Sequence, residues 1–242
     1  MIAFYGLDAV KEHVLARVRA HRAADEIIHG RYWYGGKGCA VGCTVHSANH
    51  AAYETELGIP LILARLEDGI FEGLPAPNDL VWPERFLAAI HVGADLHMIW
   101  PQFALRLLSD RLYGVVRHAQ EPKQRQAVES VVTYYRQWSK TTIQPSVTVA
   151  VGYAATDADG YAAAAAGYAA DAAAHSVSNT AAAGVAAGYA VDAAACAAAA
   201  AAYSVSNAAA VGTVAKNACW IWQGKTLLSL LSNTHRRHHD TR

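Results

Sequence analysis

Over the first 142 positions apolar residues recur at helical spacing, and no strict alternation flanked by hairpin turns interrupts them. Val10, Val14, Val18, Ala24, Ile27 and Ile28 form one stripe, which predicts a helix to about Ile28 with Asp8 placed to cap it. The loop RYWYGGKG at residues 31–38 follows, rich in aromatics and glycine. A second helix is expected from near Cys39 to Gly58, where Gly58 and Pro60 combine a stop with a restart. LILARLEDGIFEGL at residues 61–74 is a third, closed by Pro75 and Pro77. Pro83 and Pro101 each suit a first helical turn, so WPERFLAAIHV and WPQFALRLLSDRLYGVV supply two more. The last runs from Pro122 to about Ser139, with Val128, Val131, Val132, Tyr135 and Trp138 inward.

The chain changes character near residue 145. Residues 150–215 are dominated by alanine, hold no Lys or Arg, and carry only Asp157, Asp159, Asp171 and Asp192 as formal charges. Alanine is the strongest helix former, whereas disorder needs polar, charged or proline-rich composition. Tyr161, Tyr168, His175, Ala182, Tyr189, Cys196 and Tyr203 follow one another seven residues apart, and HSVSN at residues 175–179 returns as YSVSN at 203–207. A seven-residue period calls for helices that supercoil on partners. A single helix here would be roughly 90 Å long at 1.5 Å per residue. Turns near Ser178-Asn179 and Ser206-Asn207 instead predict helices folded back on one another, with Tyr161, Tyr168, Tyr189 and Tyr203 wedged in an inward seam.

The fold expected is therefore all-α: a multi-helix domain over 1–142, an alanine-rich heptad-repeat region over 143–217 forming a hairpin or bundle, and a C-terminal part over 218–242. That last part is a helix with Trp220, Trp222, Leu227, Leu228, Leu230 and Leu231 on its apolar face, followed by the basic tail NTHRRHHDTR.

Charge narrows the classes of function. Twenty basic residues balance twenty acidic ones, so no global field points to nucleic acid. Asp171, His175, Asn179 and Asp192 interrupt every candidate twenty-residue span, which argues against a membrane helix. Four scattered cysteines do not make a disulfide-stapled fold, and no basic stretch precedes an apolar core at the start, so a reducing, cytoplasmic setting is expected.

The densest candidate chemistry is GGKGCAVGCTVHSANH at residues 35–50. On one helix Cys39, Cys43, His46 and His50 share a stripe spread over about 16 Å, too long for a single tetrahedral zinc. His46 and His50, with Glu54 one turn on, could hold a divalent metal if another helix brought Glu67, Asp68 or Glu72. The Glu-x-x-His pairs of di-iron bundles are absent. A thiol site is the second option. Cys39 would lie in the first helical turn with its pKa lowered, Lys37 and Gly38 would help cradle an anion, and Cys43 and His46 stand at i and i+3. Cys39, Cys43 and His46 are thus the catalytic candidates. The third option is packing, with small Cys, Gly and Ala letting the helix pass close to a neighbour.

GKGCAVGCTVHS, HAAYETELGIP, ARLED, IFEGLP, WPERFLAAI and GADL resemble a group of uncharacterised bacterial proteins that join such an N-terminal region to an alanine-rich repetitive C-terminal half. The resemblance implies the two-part organisation and brings no activity with it.

No serine-hydrolase elbow, nucleotide fingerprint or kinase set is present. The expected role is that of a non-enzymatic helical protein that binds a protein partner or itself. The alternative is a thiol- or metal-dependent enzyme, or a small-ligand binder, centred on Cys39, Cys43, His46 and His50.

Overall fold

The structure, a computed structural model, describes residues 1–119, 121–141, 143–145, 161, 164–166, 168–169, 172, 180–206 and 209–234. The described residues are mostly helical, with one two-stranded sheet among them, so the chain is all-α. They gather into two compact units: residues 1–99 with 224–242, and residues 100–223. Among the described residues no helix is long and apolar enough to cross a membrane.

The first unit begins with a 3-10 turn at Ala3–Gly6, followed by α1 (Asp8–Ala23). Asp8 is the first helical residue rather than the cap, and no side chain caps this end. The helix stops earlier than the apolar stripe suggests. Asp25 takes a left-handed conformation, and Ile27 leaves the helix to bridge Gly38. Strands β1 (Trp33–Tyr34) and β2 (Lys37–Gly38) form a tight antiparallel hairpin. Gly35 and Gly36 both need positive φ at its two-residue turn.

Helices α2 (Ala40–Val45) and α3 (Ala52–Leu57) come next, then α4 (Leu61–Gly73) and α5 (Asn78–Ala89). α4 matches its expected bounds, opening right after Pro60. α5 opens before the expected tryptophan-proline start, which places Pro83 inside the helix. α1 packs on α2 and α5, and α4 packs on the same two, so α2 is walled in. All six residues of α2 are buried.

The second unit takes most of α6 (Ile99–Ser109), a 3-10 turn at Val115–His118, α7 (Pro122–Thr141), and α8 (Thr180–Ser206). The last helix, α9 (Ala209–Ser232), gives this unit its residues up to Gln223. The remaining turns belong to the first unit, where Leu227 and Leu231 are buried and Gly224 faces the Trp82 ring. α7 buries the five residues read from its sequence. Tyr135 is the anchor of that face: Trp100 Nε1 donates to its hydroxyl at 3.0 Å, and the hydroxyl donates to the Ala169 carbonyl at 2.5 Å.

In α8 the buried face is alanine, including Ala183, Ala187, Ala190 and Ala194. The tyrosines point the other way. Tyr161, Tyr168 and Tyr189 are 55%, 38% and 56% exposed, which corrects the expected inward seam. A methyl group fits between closely spaced helices and a phenol ring does not, so the small residues take the interior. Residues 178 and 179, His175, the Tyr203 side chain and the tail 235–242 lie outside the described residues.

Candidate functional site

The stretch from Gly35 to Gly58 does not form one helix. Val45 ends α2, and His46 closes it in a left-handed conformation with φ of 53°. Ser47 Oγ then accepts from the Asn49 amide, and Asn49 Oδ1 from the Ala51 amide, both at 3.0 Å. Such side-chain turns compete with helix, so α3 starts afresh at Ala52 and the single Cys/His stripe does not exist.

Glycine sets the close packing around Cys39. A Cβ on Gly42 would stand 1.5 Å from the Tyr32 carbonyl oxygen, and one on Gly38 2.2 Å from it. The chain before the hairpin therefore lies flat on the start of α2. It also uses the amides that an anion would need. Cys39 N–H donates to the Arg31 carbonyl at 2.7 Å, and Gly38 N–H to the Glu26 carbonyl at 3.1 Å. Lys37 is exposed on β2, opposite Tyr34. Lys37 and Gly38 do not assemble the anion cradle read from the sequence.

The thiol expectation meets a second obstacle. Cys39 and Cys43 are both fully buried. Burial, reinforced by the Asp68 carboxylate, drives the Cys39 thiol far above the ordinary range. Burial pushes Cys43 up to about 12, and its sulfur donates to the Gly38 carbonyl at 3.3 Å. A lowered thiol pKa is the mark of a reactive cysteine, and both shifts run the other way.

His46, His50 and Glu54 go to three different surroundings. His46 Nε2 stands 2.7 Å from His21 Nε2, and its ring stacks on Trp33 at 4.7 Å. His21 Nδ1 in turn meets Glu26 Oε2 at 2.6 Å. Burial and the neighbouring Arg17, His21 and His13 lower the pKa of His46. His50 is buried, with Nε2 at 3.2 Å from Asp68 Oδ2 and its ring edge-on to Tyr32. Glu54 Oε1 accepts from the Leu61 amide at 3.0 Å, holding the start of α4. Among the described residues no group of three or more His, Cys, Asp or Glu side chains is arranged to hold a metal ion.

Two contacts here were not read from the sequence. Tyr53 donates to Glu67 Oε2 at 2.5 Å in the core, and Glu67 Oε1 and Asp68 Oδ1 are buried without a partner. His29 is clasped between Glu72 at 3.2 Å and Asp79 at 2.8 Å, against the Phe71 ring. Cys39, Cys43 and His50 are therefore packed in the interior and His46 lies at the surface, with the two histidines bonded to different partners.

The second unit offers the contrasting feature, exposed tyrosine rings on its surface. Tyr168 and Tyr189 come from separate stretches of helix, and their ring centroids lie 5.2 Å apart. Tyr161 precedes Tyr168 by seven residues in the sequence, and all three are solvent-facing. Comparison of the chain with protein-family models, with curated proteins and with solved structures finds no match.

Proposed function

We propose that the chain is a helical assembly protein without chemistry of its own, and that the tyrosine-bearing face of its second unit docks onto the same face of a second copy. The observation that carries this is the exposure of Tyr161, Tyr168 and Tyr189 above a buried alanine layer. Tyrosine has few rotors to fix and a large apolar ring with a polar tip, so it contributes contact area at low entropic cost. The Tyr168 and Tyr189 rings, 5.2 Å apart, form one broad apolar surface that an identical face turned around a two-fold axis can cover. Residues 150–215 bear no Lys or Arg, so the match has to come from shape and rings rather than from opposite charge.

Sedimentation of the full chain across a range of concentrations tests the reading. A dimer that falls to monomer in a Tyr161→Ser, Tyr168→Ser, Tyr189→Ser variant, with helicity unchanged, is expected. A parent chain that stays monomeric at every concentration rejects self-docking, as does a dimer that the triple variant leaves intact.

A further inference from the structure

Two histidine rings of the first unit meet nitrogen to nitrogen. His46 Nε2 lies 2.7 Å from Nε2 of His21, which belongs to α1. On its other side His21 Nδ1 meets Glu26 Oε2 at 2.6 Å. An ionised carboxylate only accepts, so His21 donates through Nδ1 and offers its Nε2 lone pair to the Nε2–H of His46. Trp33 of β1 completes the group, stacked on His46 at 4.7 Å and edge-on to His21 at 5.4 Å. Three rings thus join α1, the hairpin and the end of α2.

Counting protons shows what this contact tolerates. With one added proton the bond between the rings survives with its direction reversed. His21 then donates from both nitrogens, to Glu26 and to His46, and the Glu26 carboxylate balances its charge. A second added proton puts N–H on both facing nitrogens, so no acceptor is left between them and two positive rings stand at hydrogen-bond distance. The surroundings sharpen that repulsion. Arg17 donates to the Thr44 carbonyl at 2.7 Å and stands 2.8 Å from His13 Nε2. Burial, Arg17, His21 and His13 all oppose a charge on His46, with Glu26 pulling the other way. The His21 side chain is 12% exposed, whereas His46 faces solvent, so His46 is the ring with room to leave.

We propose that the His21–His46 pair is an acid-operated latch, which holds the end of α2 to α1 over Trp33 and opens when both rings carry charge. While the rings share their hydrogen bond, His46 stays stacked on the indole. When both are charged, His46 swings into solvent and bares the face of Trp33 that it had covered. The opening stays local. His46 closes α2 in a left-handed conformation and α3 starts afresh at Ala52, so the ring turns away without unwinding either helix. Trp33 keeps its pairing with Gly38 in the hairpin. The latch lies wholly within the first unit and does not depend on self-docking by the second.

The experiment follows the full chain, labelled with fluorotryptophan, by fluorine NMR from neutral to mildly acidic pH, with circular dichroism alongside. Trp33→Phe assigns the Trp33 resonance among those of the six tryptophans. Expected is a reversible shift of that resonance toward its solvent-exposed position while helicity holds. In His46→Asn the covering ring is gone, and in His21→Gln the partner of His46 cannot take a charge. The shift should be absent over the same pH range in both variants. A Trp33 resonance that does not move before the helices unfold overturns the proposal, as does a shift that appears only together with loss of helicity. A shift that survives in either variant overturns it as well, because the paired charge is then not what opens the contact.

Discussion

Tyr53 donates its hydroxyl to Glu67 Oε2 at 2.5 Å, and neither side chain reaches solvent. Burial raises the Glu67 carboxyl well above the usual carboxylate range, against the pull of the Tyr53 bond. Tyr53→Phe leaves the carboxyl without that donor, beside an Oε1 already unpartnered, and should lower stability by about 2–3 kcal/mol in urea unfolding. A folded-state pKa above the unfolded one means stability present below the ordinary glutamate pKa and lost as pH rises through the raised value. Glu67→Gln should remove that part of the loss. An unchanged slope of stability against pH in Glu67→Gln would contradict it.

Gly42 lies under the Tyr32 carbonyl with no room for a side chain. Gly42→Ala drives a methyl into backbone, which cannot turn aside as a side chain can. A loss of about 2–4 kcal/mol is expected, together with faster amide exchange at Cys39, whose N–H donates to the Arg31 and Tyr32 carbonyls. A variant as stable as the parent would show that the chain before the hairpin does not rest on α2.

The alanine layer and the exposed tyrosine rings give opposite expectations on one helix. Tyr189→Ala removes a ring that is 56% exposed and should change the stability of the monomer by less than about 1 kcal/mol. Ala190→Leu forces three extra carbons into a fully buried position and should cost about 1–3 kcal/mol or more. Thermal unfolding of both variants at a concentration that keeps them monomeric checks the order. Reversal of that order would return the rings to the interior.

What the sequence revealed follows from how local each signal is. Pro60 and Pro122 mark α4 and α7, and the apolar spacing of α7 names its buried face, because these are choices made within a few residues. The break at His46 was also written locally, in Ser47 and Asn49, but the regular Cys/His spacing outweighed it. The period of seven marks a face without saying which way the face looks. Tyr189 and Ala190 sit side by side in the chain, and packing alone sends one out and the other in. Asp68 was among the acids that another helix could bring to His50, and it arrives there, as a partner for the ring. The His21–His46 pair joins residues 25 apart, and no local spacing announces it.

That pair carries the last expectation. His46 keeps a lowered pKa because burial disfavours its charged form and Arg17, His21 and His13 repel it, while Glu26 pulls weakly the other way. Between its ring and that of His21 there is room for one proton at 2.7 Å. Above about pH 6.5, the ordinary histidine value, neither folded nor unfolded His46 is charged and it contributes no pH dependence. As pH falls below that value the unfolded chain takes up a proton that the folded ring resists. Stability is therefore lost from there down to the lowered folded value. His118, pushed down by burial and Arg117, adds a parallel loss, so the informative quantity is the difference between variant and parent. Asparagine tolerates the left-handed backbone at this position and does not titrate, so His46→Asn should stay folded and lose less stability than the parent on mild acidification. Urea midpoints measured at neutral and mildly acidic pH give that difference. Equal losses in the two proteins would mean that His46 takes up its proton in the folded chain as readily as in the unfolded one.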